Sequence, residues 1–380
     1  MKVNMFIPEY MKNFKCISSK CVDTCCAGWD INIDENTFKI YKNSDGNLRE
    51  LTYGKYKENV NNHDFFNRGY MILKDELRCP FLDDSMLCDI HGILGEKNLC
   101  ITCKSYPRVY NIVDGIYEKS GLASCEELCR KSFLSESKIQ FIECEEEINE
   151  DEIEIRRIID TEAFIGSDNL LQYFWDIRII SINIIQNDDF SIDERLEILK
   201  RFYTLLQKEY ENKNFYAIDE LIEIYNNEEF FYKGSLKNEL INFNYDIFTM
   251  LSDDLLINNI KSIRLKSCID EYKKGITSNR FTDNLIIKKL NELKVYDYIF
   301  ENYIVNQIFK DLIPFNVGSD LIKSSIILIN SYKIIKSYII GISTTLEDEI
   351  KSELIIRVIQ SVSKDMEHNK VFKNLLESNL

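Results

Sequence analysis

Four cysteines lie within eleven residues near the start of the chain, in the stretch FKCISSKCVDTCCAGWDINI from Phe14 to Ile33. These are Cys16, Cys21, Cys25 and Cys26, and a Gly28-Trp29 pair follows them. No hydrophobic periodicity links these thiols, so they are poor core material. Thiolates are soft ligands that suit zinc, copper(I) and iron–sulfur clusters. The spacing therefore predicts a metal centre.

Three further groups of cysteines follow along the chain. Cys79 opens CPFL, and Cys88 lies in LCDIHG. Cys100 and Cys103 form a CxxC in LCITCKSYPR, and Cys125 and Cys129 form the last pair. Two ligands on one short turn can chelate a metal, and distant pairs then clamp two loops together. Zinc or a [4Fe–4S] cluster takes four thiolates, so eight could make two sites. The residues leave the metal open, with redox-sensing thiols and buried cysteines as the alternatives.

Two further sequence patterns limit the type of cofactor site. A radical S-adenosylmethionine enzyme shows CxxxCxxC, but position 28, which would follow Cys21 and Cys25, is glycine. No Gly-rich loop after a strand indicates a doubly wound nucleotide-binding fold. Cys144 and Cys268 stand alone, so we interpret them as small core residues.

The composition is that of a globular chain with an acidic balance. Its 380 residues suggest two domains, and 45% hydrophobic with 29% charged residues is ordinary for a protein that buries a sizeable core. The net charge of −16 argues against a nucleic-acid partner, because phosphate neutralisation needs basic clusters. It suits a neutral or basic partner, such as a protein that offers lysines.

The cysteine distribution and the first residues predict a cytoplasmic protein with reduced thiols. Twelve cysteines in 380 residues are too few for a disulfide scaffold, and eleven of them precede residue 145. The opening MKVNMFIPEYMKNFK has no apolar region or cleavage site of a secretory signal. The longest apolar run, Ser325 to Ile342, is broken by polar residues and lysines, which predicts a buried helix and no membrane span.

The elements that must position the thiols fall into two parts. Residues 1–144 are rich in proline and glycine and are predicted to form an irregular, cysteine-rich metal-binding domain. Within it, Ile31 to Ile33 and Arg108 to Val113 alternate like short strands, and Thr37 to Lys42 is typical of a helix that follows Asp34.

Residues 150–380 are predicted to form an all-α helical bundle, so that the whole chain is mainly α. The acidic segment Glu143 to Glu154, which precedes the bundle, is interpreted as a solvated linker or a helix start. In the bundle, large apolar residues recur at spacings of three and four, and Ser191 and Glu194 form a capping box. Further helices are expected over 155–184, 215–231, 236–272, 280–313, 320–343 and 347–376.

The order and the neighbours of the cysteines resemble a known family. The segments FKCISSKCVDTCCAGWDINID, CPFLDDSMLCDIHGILGEKNLCITCKSYPR and SGLASC are similar to the cysteine-chelating domain of the flagellin lysine N-methylase (FliB-type) family. Shared features are CC followed by GW, then CPFL, LGE before TC, and YPR. Towards the end of the chain, FENYIVNQIFKDLIPF and VIQSVSKDMEHN resemble that family's tail.

The resemblance implies an enzyme that transfers methyl groups from S-adenosylmethionine to the ε-amino groups of flagellin lysines. It also implies an iron–sulfur centre, a [4Fe–4S] cluster, with zinc as the alternative. By the family pattern Cys100 ranks lower as a ligand, and Cys129 is an extra thiol. The implied metal ligands are Cys16, Cys21, Cys25, Cys26, Cys79, Cys88, Cys103 and Cys125. The residues single out no catalytic base and no S-adenosylmethionine site.

Two other classes of function stay open from the residues alone. One is a non-catalytic zinc- or iron-chelating interaction module on a helical scaffold. The other is a thiol-based redox sensor. The turn Tyr106-Pro107-Arg108, just after Cys103, is interpreted either as a fixed loop or as a turn that lines the site.

Overall fold

The computed structural model describes residues 1–61, 63–227, 245–318, 320–366 and 370–377. Its strands are β1 (Lys2–Pro8), β2 (Asn32–Ile33), β3 (Tyr56–Glu58), β4 (Gly69–Met71), β5 (Arg108–Val113), β6 (Ile116–Gly121), β7 (Phe141–Glu147) and β8 (Ile155–Ile159). Its α-helices are α1 (Glu35–Lys42), α2 (Gly46–Thr52), α3 (Ile101–Ser105), α4 (Glu126–Phe133), α5 (Phe174–Ile185), α6 (Ile192–Glu211), α7 (Phe215–Asn226), α8 (Tyr245–Leu251), α9 (Asp254–Asn258), α10 (Ile263–Ile276), α11 (Asp283–Leu293), α12 (Asp297–Asp311), α13 (Leu321–Ser343), α14 (Ser352–Met366) and α15 (Lys370–Leu376). The chain is mainly α, as predicted.

A mixed five-stranded sheet lies in the amino-terminal part, in the order β7-β1-β6-β5-β8. β5 and β6 form an antiparallel hairpin closed by Asp114-Gly115, and both turn residues have the positive φ that such a two-residue turn requires. β1 pairs parallel with β6, and β8 pairs parallel with β5. The predicted strand Arg108–Val113 is confirmed. The prediction of an irregular amino-terminal part is wrong, because most of this sheet pairs segments that are distant in sequence.

The acidic segment begins with a strand. β7 pairs antiparallel with β1 along its whole length, from Phe141 opposite Pro8 to Glu147 opposite Lys2. Within β7 exposed and half-buried residues alternate, and the half-buried Glu146 accepts a hydrogen bond from Lys119 Nζ at 2.5 Å. The linker interpretation is wrong here, because this alternation and ion pair favour a strand despite the acidic composition.

The predicted helix over 155–184 begins only at Phe174. Its first residues instead form β8, in which Arg157 donates from Nη1 to the carbonyl oxygen of Asp311 at 2.6 Å and from Nη2 to that of Asn316 at 3.1 Å. These partners lie more than 150 residues further along the chain. Local periodicity cannot indicate such partners, which explains the error.

The remaining predictions are confirmed as helical, but several bounds differ. In the capping box that opens α6, Ser191 Oγ accepts from the backbone N–H of Glu194. α13 matches the predicted 320–343. The predicted 280–313 and 347–376 each contain two α-helices, and the described part of 236–272 contains α8, α9 and most of α10. Residues 228–231 and 236–244 of two predicted helices lie outside the described residues.

The main hydrophobic core joins the sheet to the helices. Buried Val3, Met5 and Ile7 of β1 belong to the same cluster as the apolar residues of α6, α12 and α13. α13 is long and apolar enough to cross a membrane, but 78% of its most apolar window is buried inside the fold. The prediction of a buried helix is therefore confirmed. The domain bounds 1–144 and 150–380 stay a prediction.

A second, smaller core surrounds the cysteines. It combines α1 with a three-stranded sheet in the order β2-β4-β3, and Phe38 and Phe81 are among its buried residues. Asp34 Oδ1 accepts from Thr37 N at 2.9 Å and caps α1, while Asp34 Oδ2 accepts from Ile101 N at 2.9 Å. One carboxylate thus joins α1 to the start of α3, the helix that carries the CxxC.

Candidate metal centre

The chain turns sharply after Cys25-Cys26 and lies against the segment that carries Cys79. Gly28 has a φ of +86°, a conformation that residues with a Cβ rarely adopt. Its N–H donates to Leu77 O at 3.1 Å, and Cys79 N donates to Cys26 O at 2.7 Å. These bonds bring two cysteines from distant parts of the chain side by side.

Trp29 fixes the other side of this turn. Its Nε1 donates to Cys25 O at 2.6 Å, and its ring stacks on Tyr106 with the centroids 5.8 Å apart. Tyr106 ends α3, the helix that carries Cys103. The turn after α3 therefore helps to hold the cysteine loop in place.

Five thiols share the smaller core, and we call them the inner group: Cys26, Cys79, Cys88, Cys100 and Cys103. Cys100 Sγ donates to Cys103 Sγ at 3.4 Å, close to the separation of about 3.8 Å between two sulfurs on one tetrahedral zinc. A backbone bridge between Leu82 and Cys88 folds that cysteine back onto the CPFL segment. The structure thus gathers four of the predicted ligands and adds Cys100, which the family pattern ranks lower.

The other four predicted ligands form the outer group: Cys16, Cys21, Cys25 and Cys125. Three of them lie on the first cysteine loop, and Cys125 is the N-cap of α4. Gln360 joins the two segments, because its Nε2 donates to Asp23 Oδ2 at 2.7 Å and to Ser124 O at 2.9 Å. Cys25 is hydrogen-bonded to the adjacent Cys26 and lies near Cys16 and Cys125, whereas Cys26 also packs against the smaller core, so this pair joins the two groups.

Charge repulsion within the outer group follows from this proximity. Burial is the main cause that raises the pKa of Cys21 to about 11 and that of Cys125 to about 12, and the charge of Cys16 adds to both. The pKa of Cys25 is raised well above its usual value, first by its hydrogen bond to Cys26, then by burial and by the charges of its neighbours.

Burial and neighbouring charges also raise the pKa values of thiols in the inner group. Burial raises the pKa of Cys79 to about 12 and also raises the pKa of Cys88, and the charge of Cys26 adds to both. For Cys103 the hydrogen bond to Cys100 is the main cause of a raised pKa, followed by burial. A bound cation removes this repulsion, since coordinated thiols are held as thiolates.

These pKa directions bear on the redox-sensor alternative. Sensor thiols have a lowered pKa and solvent access, whereas both groups contain buried thiols whose pKa is raised. Cys26 is the exception: its hydrogen bond to Cys25 is the main cause that lowers its pKa to about 7, and Thr24 and Lys364 also lower it. Most thiols here are therefore better suited to ligation than to redox sensing.

The donor sets fit a thiolate-bound metal in number and kind. All twelve cysteines are free, and each group offers at least the four thiols that zinc or a [4Fe–4S] cluster takes. Among the described residues, no three His, Cys, Asp or Glu side chains are arranged as a set that could hold a metal ion. The thiols of each group are neighbours without forming a closed coordination shell.

Helices of the carboxyl-terminal half hold the cysteine loop from one side. Lys364 of α14, whose side chain is only 4% exposed, donates from Nζ to Asp23 Oδ2 at 2.9 Å and to Thr24 O at 3.0 Å. Arg264 of α10 donates from Nη1 to Glu126 Oε2 at 2.7 Å, next to Cys125, and to Gln360 at 2.9 Å. A buried polar network thus connects both ends of the chain.

Replacing Lys364 with methionine should loosen the cysteine loop. The change leaves the Asp23 carboxylate without its buried cation, at a cost of about 1.5–3 kcal/mol in the free energy of unfolding. We expect faster alkylation of Cys21 and Cys25 by iodoacetamide in the metal-free protein, measured by peptide mass spectrometry. Lys20→Met, at an exposed lysine of the same loop, is the control and should leave the alkylation rate unchanged. Equal rates in the two variants would contradict a holding role for Lys364.

The remaining cysteines have the roles expected of isolated thiols. Cys129 and Cys268 are fully buried in the main core, and Cys144 is half-buried against it. Cys129 also donates to Ala123 O at 2.9 Å, so the extra thiol is a packing residue. Sequence reasoning missed Gln360 and Lys364, because polar residues on a helix carry no local sign that they face a distant loop.

One protein family matches the carboxyl-terminal part of the chain. The family described as "FliB lysine N-methylase C-terminal domain" matches residues 178–380, which include α14 and its contacts with the cysteine loop. No solved structure matches. The resemblance inferred from the cysteine segments is thus supported from the opposite end of the chain.

Curated relatives match over a shorter region. The chain is 32% identical over 123 residues, 32% of its length, to the flagellar biosynthetic protein FliU of Salmonella muenchen and to lysine-N-methylases of Salmonella typhimurium (strain LT2) and Salmonella choleraesuis (strain SC-B67). The match spans 72% of FliU but only 30% of each lysine-N-methylase. Because the family domain covers more than half of the chain, this protein belongs to the FliB lysine N-methylase family.

Proposed function

We propose that this protein is a protein-lysine N-methyltransferase that uses S-adenosylmethionine and acts on flagellin in the cytoplasm. Family membership and relatives named lysine-N-methylase support the reaction, and a relative named as a flagellar biosynthetic protein supports the substrate. The observation that carries the proposal is the contact between the family's carboxyl-terminal domain and the cysteine loop, through Gln360 and Lys364. The two regions that resemble the family therefore form one structure.

The reaction is a displacement at a sulfonium methyl group. The lone pair of the neutral lysine amine forms the new N–C bond, and the C–S bond breaks with its electron pair on sulfur, which leaves as a neutral thioether. The ammonium form of lysine has no lone pair, so the amine must first lose a proton. The protein must hold nitrogen, carbon and sulfur in line and exclude water. Its net charge of −16 favours the approach of lysine side chains, although salt screens this attraction.

We further propose that the outer and inner groups each hold a thiolate-bound metal centre, of the iron–sulfur type. In the outer group Cys16, Cys21, Cys25 and Cys125 would be the ligands, and in the inner group four of its five thiols. Such a cluster supplies a one-electron redox centre and clamps the loops that hold it. Zinc would supply the clamp alone, and iron and sulfide analysis of the anaerobically purified protein separates the two.

The test of the proposed reaction is the intact mass of flagellin coexpressed with and without this protein. We expect added mass in units of one methyl group, and the purified protein should reproduce the shift with S-adenosylmethionine but not with its demethylated product. The rate should rise with pH through the range in which the bound lysine loses its proton. If metal-loaded protein leaves the mass of flagellin unchanged under anaerobic conditions, the enzyme assignment fails and a metal-chelating interaction module becomes the better explanation.

A further inference from the structure

A cavity of about 490 Å³ lies where the outer thiol group meets the carboxyl-terminal helices. Val22, which follows Cys21, and Glu126, which follows Cys125, form one side of it. The other walls come from α4, α10, the end of α13 with the segment after it, and α14. Its volume lies in the range of small-molecule sites, which are often found where two parts of a fold meet.

The lining combines apolar surface with charges of both signs. Among the described residues it contains six aliphatic side chains, four carboxylates and four cationic groups, three of them guanidinium groups. Arg264 is held by its bond to Glu126, and Arg357 is held by two bonds to Glu271, at 2.8 and 2.5 Å. Arg130 is more accessible: its side chain is 44% exposed, and its ion pair with Glu126 is long, at 3.9 Å.

The mixture of acidic, basic and aliphatic groups in the lining favours a ligand that carries charges of both signs and an apolar part. A lysine side chain has one cationic group for the carboxylates of the lining to bind, but it has no anionic group for the guanidinium groups. An amino acid joined to a nucleoside has a carboxylate for a guanidinium group to bind, an ammonium group for a carboxylate to bind, and a flat body for the aliphatic wall. The lining therefore matches the methyl donor better than it matches the lysine substrate.

We propose that this cavity binds S-adenosylmethionine and its demethylated product, with the amino-acid end directed at Arg130 and the nucleoside against the aliphatic wall. This inference rests on the proposed methyltransferase function and adds the location of its donor site. It also places the donor beside the outer thiol group, so the cysteine loop forms part of the wall of the site.

The experiment measures binding of S-adenosylhomocysteine to the full-length, metal-loaded protein by calorimetry. Val22→Trp fills the cavity from the loop, and its matched control is Val60→Trp, because both valines are 77% exposed. Leu354→Trp fills it from α14, far from the cysteines along the chain, and Arg130→Gln removes the accessible guanidinium group. We expect at least about tenfold weaker binding for both cavity-filling variants, several-fold weaker binding for Arg130→Gln, and no change for Val60→Trp. Metal content is measured for each variant.

The outcomes separate the donor site from the enzyme assignment. Wild-type binding that all three cavity variants retain, or no binding by the wild type at all, would overturn the cavity proposal. Flagellin methylation by the wild type, measured in parallel, shows independently whether the proposed function stands. A raised KM for flagellin with unchanged binding of S-adenosylhomocysteine would assign the cavity to the protein substrate and would also overturn the proposal.

Discussion

Replacing Cys25 with serine should remove the metal of the outer group alone, and replacing Cys26 should remove that of the inner group alone. The two residues are adjacent in sequence and hydrogen-bonded to each other, but Cys79 N donates to Cys26 O, whereas the charges of Cys16 and Cys125 act on Cys25. A four-thiolate site that loses one ligand binds its metal far more weakly, and without Cys26 the inner group would have to use Cys100, which the family pattern ranks lower. Each single variant should therefore keep about half of the wild-type metal, and the double variant almost none.

The measurement is iron, zinc and sulfide content per chain after anaerobic purification, together with the absorbance spectrum. Cys144→Ser is the matched control, because Cys144 is a half-buried thiol outside both groups, and it should keep the full metal content. Soluble yield should also fall in the Cys25 and Cys26 variants, since the metal would clamp loops of the first 144 residues. Full loss of metal in both single variants would indicate one shared centre, and unchanged metal in both would exclude ligation by this pair.

Replacing Arg178 with methionine should lower the free energy of unfolding by about 3–5 kcal/mol, because it leaves a buried carboxylate without its partner. Arg178 and Glu118 have side chains only 3% and 1% exposed, and two bonds of 2.6 and 2.9 Å join them. The guanidinium group also lies 4.3 Å from the centre of the Phe309 ring. The pair therefore connects β6 to α5 and α12 within the core.

This loss should depend on pH. Burial raises the pKa of Glu118 even with the arginine present, and without Arg178 the pKa should rise further. A carboxyl group whose pKa is higher in the folded state than in the unfolded chain loses stability as pH rises through its unfolded value, about 4.3 for glutamate. The deficit of Arg178→Met relative to wild type should thus be small in acid and should increase above that pH.

Urea unfolding at several pH values measures both effects. The control is Lys2→Met, which breaks an exposed ion pair with Glu145 and should cost less than about 1 kcal/mol at any pH. Adding Glu118→Gln to Arg178→Met removes the unpaired charge and should recover part of the stability and abolish the pH dependence. A pH-independent loss in Arg178→Met would mean that lost packing, and not the stranded carboxylate, is the cause.

The sequence by itself determined the features whose causes are local. The metal chemistry of the clustered thiols stays a prediction, which rests on side-chain type and short spacing. Ser191 and Glu194 cap a helix within four residues. The alternation of Arg108–Val113 predicts a strand, and the apolar run of α13 predicts a buried helix. Caps and periodicity require no knowledge of distant partners, so these elements could be predicted.

Only the tertiary structure decided which residues meet across the chain. It packs Cys26 and Cys100 against the smaller core, places the adjacent Cys25 near Cys16 and Cys125, and brings Lys364 of α14 onto the first cysteine loop. It also makes strands of the start of the acidic segment and of residues 155–159, whose pairing partners begin at residues 2 and 110. Register, burial and ion pairing between distant segments decide these features, and no window along the sequence contains both partners.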